Sequence, residues 1–168
     1  MKVVALATML ACAAALAGAQ TIPGALPESA AALARGEWPA YGGTYAAARY
    51  SPLDQIHRGN ARDLRVAWRW RSPDHDVRER GANVDPSWLN ESTPVMVGGT
   101  LYVSTSLSQV AAIDAATGKT RWVYDPKIYE RWNRLPANVG WTHRGVAWWK
   151  SGDDERIFIA TEIGRAHV

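Results

Sequence analysis

Cysteine is nearly missing from this chain. Cys12 is the only one, and it sits inside an export-type leader, so the remainder has no disulfide and no thiolate to serve as nucleophile or metal ligand. Phenylalanine is as scarce, one residue against nine tryptophans. No block of Lys or Arg occurs, and the formal net charge of +3 is too small to argue for nucleic acid as a partner. Strands do not alternate with helical patterns, which excludes a parallel βαβ sheet. His57, His75 and His143 show no metal-ligand spacing.

What is abundant is tryptophan, which at this density points to flat surfaces stacked on one another or on a planar ligand. Residues 1–19, MKVVALATMLACAAALAGA, carry one Lys, an apolar run and then Ala17-Gly18-Ala19. That is the pattern of a secretory signal peptide cleaved after Ala19, and it implies export. Met9-Leu10-Ala11 is a poor lipidation box before Cys12. At the other end, residues 162–168, EIGRAHV, resemble the translation of a sequencing adapter. On that reading the natural sequence in this chain stops at Thr161.

Residues 20–36 read as a linker with a short helix at 29–33. Residues 37–52, EWPAYGGTYAAARYSP, suit an irregular segment pinned by aromatics. In 65–71, RVAWRWR, Val66, Trp68 and Trp70 alternate with polar or small residues, which predicts a half-buried strand. Residues 72–90 are polar and broken by Pro73, Gly81 and Pro86, so a long loop is expected there, with Asp74-His75-Asp76 solvated. Three hairpins follow. The first is 94–97 with 101–104 around Gly98-Gly99. The second is 110–114 with 120–124, and the third is 145–149 with 156–161. Short strands at such spacing predict an all-β sandwich, barrel or propeller.

The second hairpin, AAIDAATGKTRW, carries its own chemistry. Asp114 can accept backbone N–H bonds in the turn. Gly118 sits where a left-handed conformation is wanted. Trp122 presents a large apolar surface that a lone hairpin cannot bury. This unit resembles the tryptophan-docking repeat of the pyrroloquinoline-quinone-dependent (quinoprotein) dehydrogenases of glucose and alcohol type. EWPAYGGTYAAARYSPLDQI, NARDLRVAWRWR, ESTPVMVGGTLYVSTSLSQVAAIDAATGKTRWVYDP and THRGVAWW resemble successive pieces of the same family. The resemblance implies the N-terminal part of an eight-bladed β-propeller within 37–161. Residues 93–124 would supply one complete blade, and 145–161 the start of the next. The chain is then expected to be an N-terminal fragment, inactive on its own.

The same resemblance implies pyrroloquinoline quinone as cofactor, under a calcium ion whose ligands, with the catalytic base, are expected downstream. Arg144 matches the arginine that faces a cofactor carboxylate. Glu91, in NESTP, matches the glutamate before the first hairpin and could accept the pyrrole N–H. Trp141 and His143 are candidates to cover the ring. The adjacent cysteine pair of several alcohol-oxidising members is missing, as are the N-terminal transmembrane helices of some glucose dehydrogenases. The implied activity is periplasmic oxidation of an alcohol or aldose, with electrons leaving to a membrane quinone or a cytochrome c and with membrane association left open. Two other readings stand beside it: a non-enzymatic propeller scaffold of the outer-membrane assembly type, which needs neither Glu91 nor Arg144, and a secreted carbohydrate-binding β domain.

Overall fold

The Gly98-Gly99 pair makes one of the tightest connections open to a hairpin, and the first sheet grows from it. The computed structural model describes residues 29–45, 47–81, 84, 90–130, 144–161 and 164–167. The leader-like residues, most of the linker, Trp141 and His143 lie outside them. β1 (Val95–Val97) and β2 (Thr100–Ser104) pair with Val97 opposite Thr100. Gly98 and Gly99 have φ of +54° and +70°, as a two-residue turn of the primed kind demands. β3 (Val110–Asp114) and β4 (Thr120–Tyr124) complete an antiparallel meander in the order β1-β2-β3-β4. The first two hairpins thus form where the sequence predicts them.

Burial grades across this sheet. Val110, Ala111, Ala112 and Ile113 of β3 are buried, whereas β4 is exposed except at Tyr124. The register slips between Ala112 and Ile113, so Arg121 is an extra residue on β4. Such a bulge re-aims a side chain. Here the Arg121 guanidinium donates to Thr100 Oγ1 at 2.7 Å and to Asp114 Oδ2 at 2.7 Å. Asp114 Oδ1 accepts from the Thr117 backbone N–H at 2.9 Å and its hydroxyl at 2.8 Å. The Arg121 guanidinium thus ties the two hairpin turns at this end of the sheet together, Thr100 beside one and Asp114 at the start of the other.

A second antiparallel sheet has the order β5-β6-β7, with β5 at Ala147–Ser151, β6 at Asp154–Thr161 and β7 at Gly164–His167. Its hairpin turn is shorter than expected: Ser151 faces Asp154 across Gly152-Asp153 only. β7 falls in the terminal heptapeptide and pairs with β6 from Phe158↔His167 to Thr161↔Gly164. The two sheets share one core, in which Val95, Tyr102, Val110 and Ala112 meet Val146, Trp148, Ile157 and Ile159. Glu155 of β6 spans the interface, accepting from Trp148 Nε1 at 2.8 Å and from the Tyr102 hydroxyl at 3.4 Å. Burial first, and then the Glu155 charge, raise the Tyr102 pKa, which keeps its hydroxyl a donor.

α1 (Ser29–Ala34) is found where a short helix was expected. Three expectations fail. Residues 65–71 are not a strand, and among the described residues none of their backbone groups joins a ladder. The segment attaches by side chains instead. Trp68 Nε1 donates to the Ala115 carbonyl at 3.2 Å, Trp70 Nε1 donates to Thr120 Oγ1 at 2.9 Å, and Val66 stays 67% exposed. Within the expected long loop lies α2 (Asp74–Glu79), braced by Arg71 salt bridges to Asp76 and Glu79. Nor is Asp74 simply solvated: it accepts from the Thr105 hydroxyl (2.6 Å), Gln109 Nε2 (2.8 Å) and the Leu107 N–H (3.1 Å). The carboxylate adds to the β2–β3 loop's own backbone bonds by satisfying the Leu107 N–H and two side chains.

Candidate functional site

The backbones of the two sheets meet just ahead of their first strands. Thr93, just before β1, and Gly145, just before β5, form a parallel bridge, and the Thr93 N–H donates to the Arg144 carbonyl at 3.1 Å. Gly145 is required there. A Cβ at that position would stand 2.7 Å from the Thr93 carbonyl oxygen, and its φ is +131°. Only glycine lets the two entering chains run this close.

That approach sets Glu91 and Arg144 side by side, with Arg144 Nη2 3.5 Å from Glu91 Oε2. The two residues that sequence reasoning named separately are therefore neighbours. Both are solvated, the Arg144 side chain 76% exposed and that of Glu91 40%. A long ion pair between exposed groups adds little to stability. Among the described residues Arg144 makes no other side-chain contact that would occupy its planar fork, so most of its five N–H donors are available to an anionic ligand.

The polar contacts at this end of the sheet were not legible in the sequence. Ser92 Oγ and Ser104 Oγ lie 2.9 Å apart and tie the entry of β1 to the end of β2. Asp74 fastens α2 to the β2–β3 loop at the same end of the sheet. Arg144 also borders an open cleft of about 590 Å³, lined by Tyr41, Val146, Phe158 and Ile159 among others. Among the described residues no group of three or more His, Cys, Asp or Glu could hold a metal ion.

At the opposite end, Gly118 carries both parts of the docking motif. Its φ is +72°, and a Cβ would fall 2.6 Å from the Trp68 ring. The Trp68 indole therefore lies directly on the glycine of the turn. Trp122 has the matching position on β4, 39% exposed, its ring 5.9 Å from that of Tyr102.

A four-stranded meander joined just ahead of its first strand to a second, three-stranded meander, with a tryptophan seated on a turn glycine, has the arrangement of β-propeller blades. The comparisons with known proteins agree. The family model described as glucose/ethanol/alcohol dehydrogenase, beta-propeller domain (PQQ), matches residues 38–166. The alcohol dehydrogenase (quinone) dehydrogenase subunit of Gluconobacter oxydans (strain 621H) is 33% identical over 172 residues, covering 94% of this chain and 20% of the relative. Quinoprotein glucose dehydrogenase A of Acinetobacter calcoaceticus is 41% identical over 110 residues, 66% of this chain and 12% of the relative. Among solved structures, quinohemoprotein alcohol dehydrogenase from Comamonas testosteroni superimposes with a TM-score of 0.56 at 35% identity, covering 79% of this chain and 19% of that one. This chain belongs to the PQQ-dependent dehydrogenase β-propeller family. It spans about a fifth or less of the length of these relatives.

Proposed function

We propose that this chain is the N-terminal part of a periplasmic quinoprotein dehydrogenase, built on an eight-bladed propeller, that oxidises an alcohol or an aldose. The observation that carries the reading is the meeting of Glu91 and Arg144 at the entries of the first strands of two adjacent blades. A planar, tricarboxylated quinone suits this donor set. The Arg144 fork pairs with a carboxylate through two parallel N–H bonds. Glu91 offers an acceptor for a ring N–H, and Arg144 offsets its charge. Gly145 contributes by holding Arg144 against the neighbouring blade. When bound, the quinone supplies the redox step by accepting hydride from the substrate carbon. The electrons then pass to a membrane quinone or a cytochrome c. Calcium is the expected companion ion, held by residues other than the described ones.

The test is titration of the full-length apo-protein with pyrroloquinoline quinone. Arg144→Ala should weaken binding at least tenfold, since a cofactor carboxylate loses a charge-assisted pair. Arg144→Lys should restore only part, because an ammonium lacks the fork. Unchanged affinity in both variants would return Arg144 to an ordinary surface role and favour the non-enzymatic scaffold.

A further inference from the structure

A second cavity lies at the Glu91 end of the first sheet. It has a volume of about 180 Å³, and Ser72, Asp74, His75, Arg78, Asn90, Ser106 and Leu107 line it. That is ample room by the measure in which about 10–15 Å³ admits one water. α2 supplies His75 and Arg78 three positions apart, so both project from one side of the helix. Ser106 comes from the β2–β3 loop, and Asn90 stands one residue before Glu91.

Among the described residues, Asp74 is the one carboxylate lining this cavity, and both of its oxygens are engaged by Thr105, Gln109 and Leu107. Arg78 pairs with no carboxylate among the described residues, whereas Arg71, one turn before the helix, pairs with two. Among the described residues the lining thus offers a guanidinium, an imidazole, two hydroxyls and a side-chain amide against one carboxylate that is already engaged. We propose that this cavity is a small-anion subsite at the rim of the cofactor end, taking a carboxylate or phosphate group on Arg78 and His75. Asp74 holds the helix in place for it. That the anion is the carboxylate of a substrate molecule, and not a free ion, rests on the dehydrogenase reading above.

Two arms test this on the full-length protein. In the first, thermal unfolding of apo-protein is followed during titration with acetate and with inorganic phosphate at constant ionic strength. A saturable rise in Tm is expected. The apparent affinity should drop at least tenfold in Arg78→Ala and be partly kept in Arg78→Lys, while Arg62→Ala, a solvated control, leaves it unchanged. No saturable rise, or the same rise in Arg78→Ala, overturns the proposal. The second arm compares kcat/KM for a neutral primary alcohol and for the ω-hydroxycarboxylate of equal length. With the first arm positive, a tenfold fall in their ratio in Arg78→Ala assigns the site to a substrate carboxylate, and an unchanged ratio assigns it to a free anion. If wild-type protein oxidises neither compound, the dehydrogenase reading is at fault, and the first arm still decides the subsite.

Discussion

Replacing Gly118 by alanine puts two separate demands on one position. The backbone there has φ +72°, which costs a residue with a Cβ about 1–2 kcal/mol. The new Cβ would also stand 2.6 Å from Trp68 Cδ2 and 2.7 Å from Cε3, so the indole has to leave the turn. With it goes the hydrogen bond from Trp68 Nε1 to the Ala115 carbonyl, a net loss of about 1 kcal/mol. A share of the roughly 2–3 kcal/mol from burying a large aromatic goes too. The expected loss is about 3–5 kcal/mol. Gly152 supplies the control, with φ +57° and nothing within 4 Å of the place an alanine methyl would take. Gly152→Ala should therefore lose only about 1–2 kcal/mol. Equilibrium denaturation of the full-length protein, read by circular dichroism in the tryptophan region, gives both values. Once Trp68→Ala has removed the indole, Gly118→Ala should cost no more than Gly152→Ala. Equal losses for the two glycine variants in the wild-type background would refute the docking argument.

Acid should reach the blade through Asp114. Its carboxyl is held down to about 2, by Arg121 first and then by the Thr117 hydroxyl and N–H. Folding lowers this pKa, so the stabilisation is complete above the ordinary carboxylate value and is lost as pH falls from about 4 to about 2. Asp114→Asn should flatten stability against pH across that window, and an unaltered slope would remove Asp114 as the cause. Residues 20–168 expressed alone should aggregate or lack order and show no dehydrogenase activity with added quinone and calcium. Tyr50, Ile56, Leu64 and Val66 are each more than half exposed, and Trp122 and Phe158 are solvated on the sheets; such apolar surface and open strand edges invite association. A soluble monomer with a sharp thermal transition would contradict this. Export predicts periplasmic material starting at Gln20, and N-terminal sequencing that finds Met1 would overturn the cleavage.

The hairpins were legible in the sequence because everything that makes them is local. Gly98-Gly99 demands a primed turn, and Asp114, Thr117 and Gly118 close their own loop within five residues. Those same residues carried the family resemblance, and with it the propeller. Strand period alone misread 65–71, since alternation tells which side chains share a face and not whether a neighbouring backbone is there to pair. Trp68 and Trp70 found a turn carbonyl and a hydroxyl instead. Asp74 looked like one of several solvated acids, because the loop groups it satisfies lie more than thirty positions away. Glu91 and Arg144 could each be named from their motifs, yet their contact depends on Gly145 letting one strand entry run against another. Sequence determined the turns, the strands of the hairpins and the residue types a polyanionic planar ligand would need. Only the packing of the two sheets decided which of those residues meet, because a side chain's partner across a blade interface is set by backbone approach and not by spacing along the chain.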